Sequence, residues 1–175
     1  MKKFFLRLLL GYAVVMMLWG SWYFGFRSLE SEFHATQANF WRSVEDRDWA
    51  SISFVISPNY QDAAGYTRET GIGEARQALG AFLTLMVKDE LLSEKVSRHP
   101  DDPKHRAVAV ATIKLRMDGN GMGASSLVVS KVNSINAPWI VHWEKTGPWP
   151  WDWHITEIHN DELFGATSER SSLTQ

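Results

Sequence analysis

From Leu8 to Phe26 the chain carries no charge for nineteen consecutive residues, and the short head before this run holds Lys2, Lys3 and Arg7. At about 1.5 Å per helical residue the run reaches roughly 28 Å, close to the hydrocarbon thickness of a bilayer. It therefore predicts one membrane-spanning helix with Leu8, Trp19, Trp22 and Phe26 among its anchoring residues, the aromatic ones gathered near the exit end. The basic head predicts a cytoplasmic amino terminus and an exported remainder. A cleaved leader is the rival reading, but Leu18, Trp19, Trp22 and Tyr23 around Gly20 and Ser21 do not supply the small residues that cleavage needs.

Beyond Ser28 the period is helical. Leu29, Phe33, Phe40, Trp41 and Val44 recur with Glu30, Glu32, Arg42 and Glu45 between them, which predicts an amphipathic helix. Asp46 or Asp48 can cap a second, short helix through Trp49, Ile52, Phe54 and Val55, ended by Ser57 and Pro58. After a loop with Tyr60, Asp62, Gly65 and Tyr66, the stripe Ile72, Ala75, Leu79, Phe82, Leu83 and Met86 predicts a third helix opened by Thr70 or Gly71.

The period then changes to two. Glu94 to Arg98 predicts a short strand, and His99, Pro100, Asp101, Asp102 and Pro103 a turn. Ala107, Ala109, Ala111, Ile113, Leu115 and Met117 form one face of a long strand. A glycine-rich turn from Asp118 to Gly123 leads to expected strands at Ser125 to Val132, Trp139 to Trp143 and Trp151 to Ile158. The expected domains are a head and span over residues 1–27, a folded unit over 28–165 and a polar tail over 166–175.

Composition narrows the function. A formal net charge of -2 leaves little basic surface for nucleic acid. The absence of cysteine removes disulfides, thiolate metal sites and a lipid-modified cysteine anchor. Nine tryptophans are many for 175 residues, and Trp143, Trp149, Trp151 and Trp153 fall close together, as a core, a pocket or an interface would require.

Helices followed by antiparallel strands make an α+β fold with helices on one face of a curved sheet. The segments Glu45-Asp46-Arg47-Asp48-Trp49 and Ser57-Pro58-Asn59-Tyr60-Gln61-Asp62 resemble the opening of nuclear transport factor 2 (NTF2)-like domains. Trp143-Glu144-Lys145 and Trp151-Asp152-Trp153-His154-Ile155-Thr156-Glu157-Ile158 resemble their close. The resemblance spans roughly Leu29 to Leu163 and implies a cone-shaped domain of three helices on a bent sheet. It also implies a superfamily of isomerases, dehydratases and cyclases whose acids and bases line the cone, together with members that catalyse nothing.

Candidate chemistry is sparse. Tyr60, Asp62 and His154 are the best available catalytic residues, with Tyr66, His142 and Asp152 behind them, and none belongs to a motif that fixes a reaction. Asp62 before Ala63, Ala64 and Gly65 also has the ordinary role of satisfying loop amides. His142 and His154 fall on adjacent expected strands but lack a third ligand, so no metal and no cofactor is expected. Trp149, Trp151 and Trp153 alternate with Pro150 and Asp152, which in an extended backbone puts the three indoles on one side as a partner-binding ledge.

These features lead to the expectation of a non-enzymatic single-pass protein of a bacterial inner membrane. Its periplasmic domain would bind other subunits of a secretion, respiratory or photosynthetic complex, in a layout similar to bitopic components of type IV secretion systems. The bilayer and those subunits are the expected partners, nucleic acid is not, and self-association is open. The alternative is a small-ligand-binding protein, or an isomerase- or dehydratase-like enzyme, that uses the cone cavity.

Overall fold

The computed structural model describes residues 2–25 and 28–163, with side chains described for 9–20 and 28–163. In chain order the elements are α1 (Lys2–Gly25), α2 (Leu29–Asp46), α3 (Trp49–Val55), α4 (Arg68–Leu79), β1 (Phe82–Arg98), β2 (Ala107–Gly121), α5 (Ser125–Ser134), β3 (Trp139–Lys145) and β4 (Trp153–His159). The strands form one antiparallel sheet in the order β1-β2-β3-β4. The fold is α+β, as its pattern predicts.

The expected membrane span requires correction, because no helix of the described residues is long and apolar enough to cross a membrane. The strongly apolar part of the uncharged run, Leu8 to Leu18, covers only about 16 Å as a helix, roughly half of the hydrocarbon layer. Gly11 and Tyr12 interrupt it, and Gly20, Ser21, Tyr23 and Gly25 dilute its continuation. Trp19 is exposed. Phe26 lies outside the described residues, as do the side chains of Leu8 and Trp22 and the expected polar tail. The assignments to an inner membrane, a cytoplasmic amino terminus and a periplasmic domain rested on that span and fall with it.

Local chemistry sets the helix ends. Ser28 caps α2 by accepting from the Ser31 amide at 3.2 Å, and α2 ends at Arg47, whose φ of 56° is left-handed and whose guanidinium donates to the Phe82 carbonyl. Asp48, rather than Asp46, caps α3 through the Ser51 amide at 3.2 Å. The α4 cap is Thr67, not the expected Thr70 or Gly71, with Thr70 completing a capping box.

Two expected elements differ. The third helix stops at Leu79, and Phe82 to Met86 begins the 17-residue strand β1, whose last part is the short strand expected at Glu94 to Arg98. The segment expected as a strand from Ser125 is α5, whose Val128 and Val129 pack on Phe82, Leu85 and Val87. Asn133 of α5 holds both the amide and the carbonyl of Met117 at 2.8 Å, where a neighbouring strand would otherwise bond β2.

The core lies between α2 and the sheet. Ala107, Ala109, Ala111 and Ile113 point inward from β2, each 1% exposed, and their small size admits the rings of Phe33, Phe40, Trp143 and Trp153. These rings pack edge to face or tilted: Phe33 lies 5.6 Å from Trp143 and 5.4 Å from Trp153, and Phe40 lies 6.0 Å from Trp143. A buried Glu32–Lys145 ion pair ties α2 to β3. Asn160, also fully buried, donates to the Ala137 and Pro138 carbonyls and accepts the Glu162 and Leu163 amides, so the chain beyond β4 is pinned to the entry of β3.

Candidate functional site

The aromatic filling stops short of one end of the fold, and a cavity of about 250 Å³ opens there. Phe40 and Val44 of α2, Trp49 and Ile52 of α3, Ile72 and Ala75 of α4, and Trp139 and Ile158 from the sheet form apolar walls. Its outer wall is α4, which has no buried residue of its own. That wall is held by the Arg68 guanidinium, which donates to the carbonyl and hydroxyl of Ser53 at 2.5 and 2.8 Å, and by Arg76, whose guanidinium lies 5.4 Å from the Trp49 ring centre.

Tyr60 and Asp62 bring polarity into this cavity. The backbone places them: Ile56 bridges to Ile155 in parallel, Ser57 donates to the Ile155 carbonyl at 2.8 Å, and Gln61 bridges to Thr67. Asp62 then closes the following loop, its Oδ1 accepting the Ala64 and Tyr66 amides at 3.0 and 2.9 Å. Gly65 has a φ of +83°, a conformation a side chain would strain. One carboxylate oxygen is thus committed to the loop. The other, Oδ2, accepts only a long 3.4 Å bond from the Tyr60 hydroxyl and is turned toward that ring.

Tyr60 is 8% exposed. Burial pushes its phenol well above the ordinary tyrosine value, and the negative charge of Asp62 adds to the rise. The hydroxyl therefore remains protonated throughout the neutral range. It is a fixed donor rather than a base.

The other sequence candidates lie elsewhere. Tyr66 lines the cavity and is 41% exposed. His154 is on the far face of β4, its Nδ1 3.1 Å from the Phe54 carbonyl, and does not reach Tyr60 and Asp62. His142 pairs with Glu157 in the sheet register and His154 with Glu144, so the two histidines do not face each other. Asp152 accepts the Trp149 amide at 2.9 Å in a surface turn. The three-tryptophan ledge is also corrected: Trp149 and Trp151 stack outside, 49% and 52% exposed, whereas Trp153 turns into the core at 0%. A turn at Pro148 to Asp152 replaces the extended backbone on which that ledge depended. Trp49 and Trp139 do not stand out as site residues in the sequence, because nothing local distinguishes a wall of a cavity from core.

Neither family models nor curated proteins match the sequence. Solved structures do match by fold. The chain is similar to ActVI-ORFA from Streptomyces coelicolor, with 10% identity, 77% of this chain and 98% of that one covered, and a TM-score of 0.50. It is similar to an NTF2-like protein from Cytophaga hutchinsonii, with 10% identity, 77% and 98% coverage and a TM-score of 0.49. Bd1075 from Bdellovibrio bacteriovorus aligns at 6% identity and a TM-score of 0.49 over 73% of this chain, which spans only 38% of that longer protein.

The α+β fold with its four-stranded antiparallel sheet is consistent with the NTF2-like cone that the sequence resembles. The expected role as a non-enzymatic membrane-complex subunit is overturned, since the described residues contain no helix able to span a bilayer.

Proposed function

We propose that this chain is a small-ligand-binding protein that uses the cone cavity. The observation that carries this reading is a 250 Å³ largely apolar space in which Tyr60 and Asp62 form a hydrogen-bonded polar pair, with Tyr66, Arg68 and Glu74 also on its lining. Such a space exceeds the roughly 150 Å³ that holds a benzene ring and falls just short of the about 300 Å³ at which drug-sized pockets begin. Its guest is accordingly one or two fused rings bearing a hydroxyl. That hydroxyl donates to Asp62 Oδ2 and accepts from Tyr60, replacing a long internal bond with two shorter ones. Enzymatic use of the same cavity would assign proton transfer to Asp62, but no imidazole from the described residues lines the space.

Calorimetric titration with naphthol and with naphthalene tests the reading. Naphthol is expected to bind saturably and about tenfold more tightly than naphthalene, the scale of one charge-assisted hydrogen bond. Asp62→Asn, which keeps an acceptor for the loop amides, is expected to erase that preference. Absence of saturable binding by either compound sinks the proposal.

A further inference from the structure

A second concavity lies outside the cone, between α2, α3 and the turn before β4. It is an open groove of about 570 Å³, within the range of small-ligand sites. Its floor is a polar stripe of α2: Thr36, Asn39, Ser43 and Asp46 recur at helical spacing, with Arg42 beside them. Phe54, 56% exposed, and Trp151, 52% exposed, stand at its margin.

Trp151 is held there by construction. The Asp152 amide donates to the Trp149 carbonyl at 3.1 Å, the Asp152 carboxylate accepts the Trp149 amide at 2.9 Å, and Thr146 donates to the Asp152 carbonyl at 2.9 Å. Gly147 is crowded by this arrangement, since a Cβ there would collide with Asp152 Oδ2. Thr36 of the groove floor donates to the Pro150 carbonyl at 3.3 Å and fastens the turn to α2. Trp149 backs Trp151 in a parallel stack, with ring centres 5.4 Å apart and planes 2° from parallel. Two large apolar rings are therefore fixed at the surface by a rigid turn, one of them at the rim of a polar groove.

The chemistry of the groove selects its guest. Arg42 and Asp46 offer opposite charges, the second carboxylate on the lining, Asp48, is already engaged by the Ser51 amide and hydroxyl, and Asn39 offers both a donor and an acceptor, so the groove presents mixed polarity rather than a built anion or cation site. A neutral molecule with many hydroxyls and one face of C–H bonds matches both the stripe and the indole. The stacked tryptophans leave no slot between them, unlike the spaced aromatic ridges that receive a proline-rich peptide. We propose that this groove is a saccharide-binding site, with Trp151 as stacking platform, Trp149 as its support, and Asn39, Arg42 and Asp46 reading the sugar hydroxyls. It is independent of the cavity occupied by Tyr60 and Asp62.

The test is a titration of the full chain with cellohexaose, chitohexaose and maltohexaose, read by saturation-transfer NMR on sugar ring protons, with a decaproline peptide in parallel. At least one oligosaccharide is expected to bind saturably, about tenfold more weakly in Trp151→Ala, the scale of one lost aromatic platform. Asp46→Asn is expected to weaken the same sugar, and Tyr60→Phe to leave it unchanged. Folding of each variant is checked by thermal unfolding; should Trp151→Ala fail to fold, Asp46→Asn and Asn39→Ala decide. Absence of saturable binding by all three sugars overturns the proposal, as does equal affinity in the folded groove variants. Binding of decaproline alone overturns it in favour of a peptide.

Discussion

The two ends of the space between helices and sheet are built from similar residues and finish in opposite states. At one end Phe33, Phe40, Trp143 and Trp153 interlock over the alanine row of β2, and the interior is full. At the other end Trp49, Trp139, Ile72 and Ile158 stand around an empty volume whose outer wall, α4, has no fully buried residue. The difference is one of support rather than of hydrophobicity. Rings at the filled end are pressed from both layers, with α2 clamped to β3 by Glu32 and Lys145, whereas the open end is closed by a helix held by two arginines and by half-buried Ile72 and Leu79.

The comparison is most sharply tested by truncation. Trp153→Ala is expected to destabilise the fold by about 3–5 kcal/mol in urea unfolding, because it removes a fully buried ring from the full end. Ile72→Ala, at the open end, is expected to cost only about 1 kcal/mol, since its site is already partly empty. Equal losses would erase the distinction between the two ends. Filling the cavity is the converse. Ala75→Phe is expected to weaken naphthol binding by more than about a hundredfold while changing stability by less than about 1 kcal/mol.

A smaller effect belongs to Tyr60. Tyr60→Phe is expected to weaken naphthol binding about tenfold. Its phenol ionises later in the folded chain than in the unfolded one, so the folded state holds the proton more tightly. The associated stability is complete below the ordinary value of 10.0 and is lost as pH rises through the elevated folded value. Alkaline unfolding curves of the native chain are therefore expected to fall more steeply beyond that point than those of Tyr60→Phe, and parallel curves would contradict the assignment. The smallest expected change is at the surface: Gly147→Ala is expected to cost about 1 kcal/mol or less and to diminish the exciton signal of the Trp149–Trp151 stack in circular dichroism.

Much of the filled end was legible in the chain, because the alternation from Ala107 to Ile113 states which face of β2 is buried. β1 was not. Leu79, Phe82, Leu83 and Met86 satisfy helical spacing, but a register shift between Phe82 and Thr84 breaks the two-residue period and imitates it; Phe82, Leu85 and Val87 are buried, while Leu83 and Met86 are exposed. α5 was missed because Val128, Val129 and Val132 favour strands in general, and only packing on the neighbouring cluster shows that their spacing suits a helix. At the site, Tyr60 and Asp62 could be picked out by residue type and nearness in sequence. Their separation from His154 depends on which face of β4 carries the ring, and the bulge between His142 and Trp143 is silent in the sequence.

The absence of buried residues on α4 has a kinetic consequence. Because α4 contributes only half-buried apolar residues, Ile72, Ala75 and Leu79, and none that is fully buried, its detachment uncovers less apolar surface than opening the alanine-lined strand would and is a local fluctuation that leaves that strand intact. Backbone amides from Arg68 to Leu79 should then exchange with deuterium sooner than those from Ala107 to Ile113, and guests can enter and leave the enclosed volume without global unfolding.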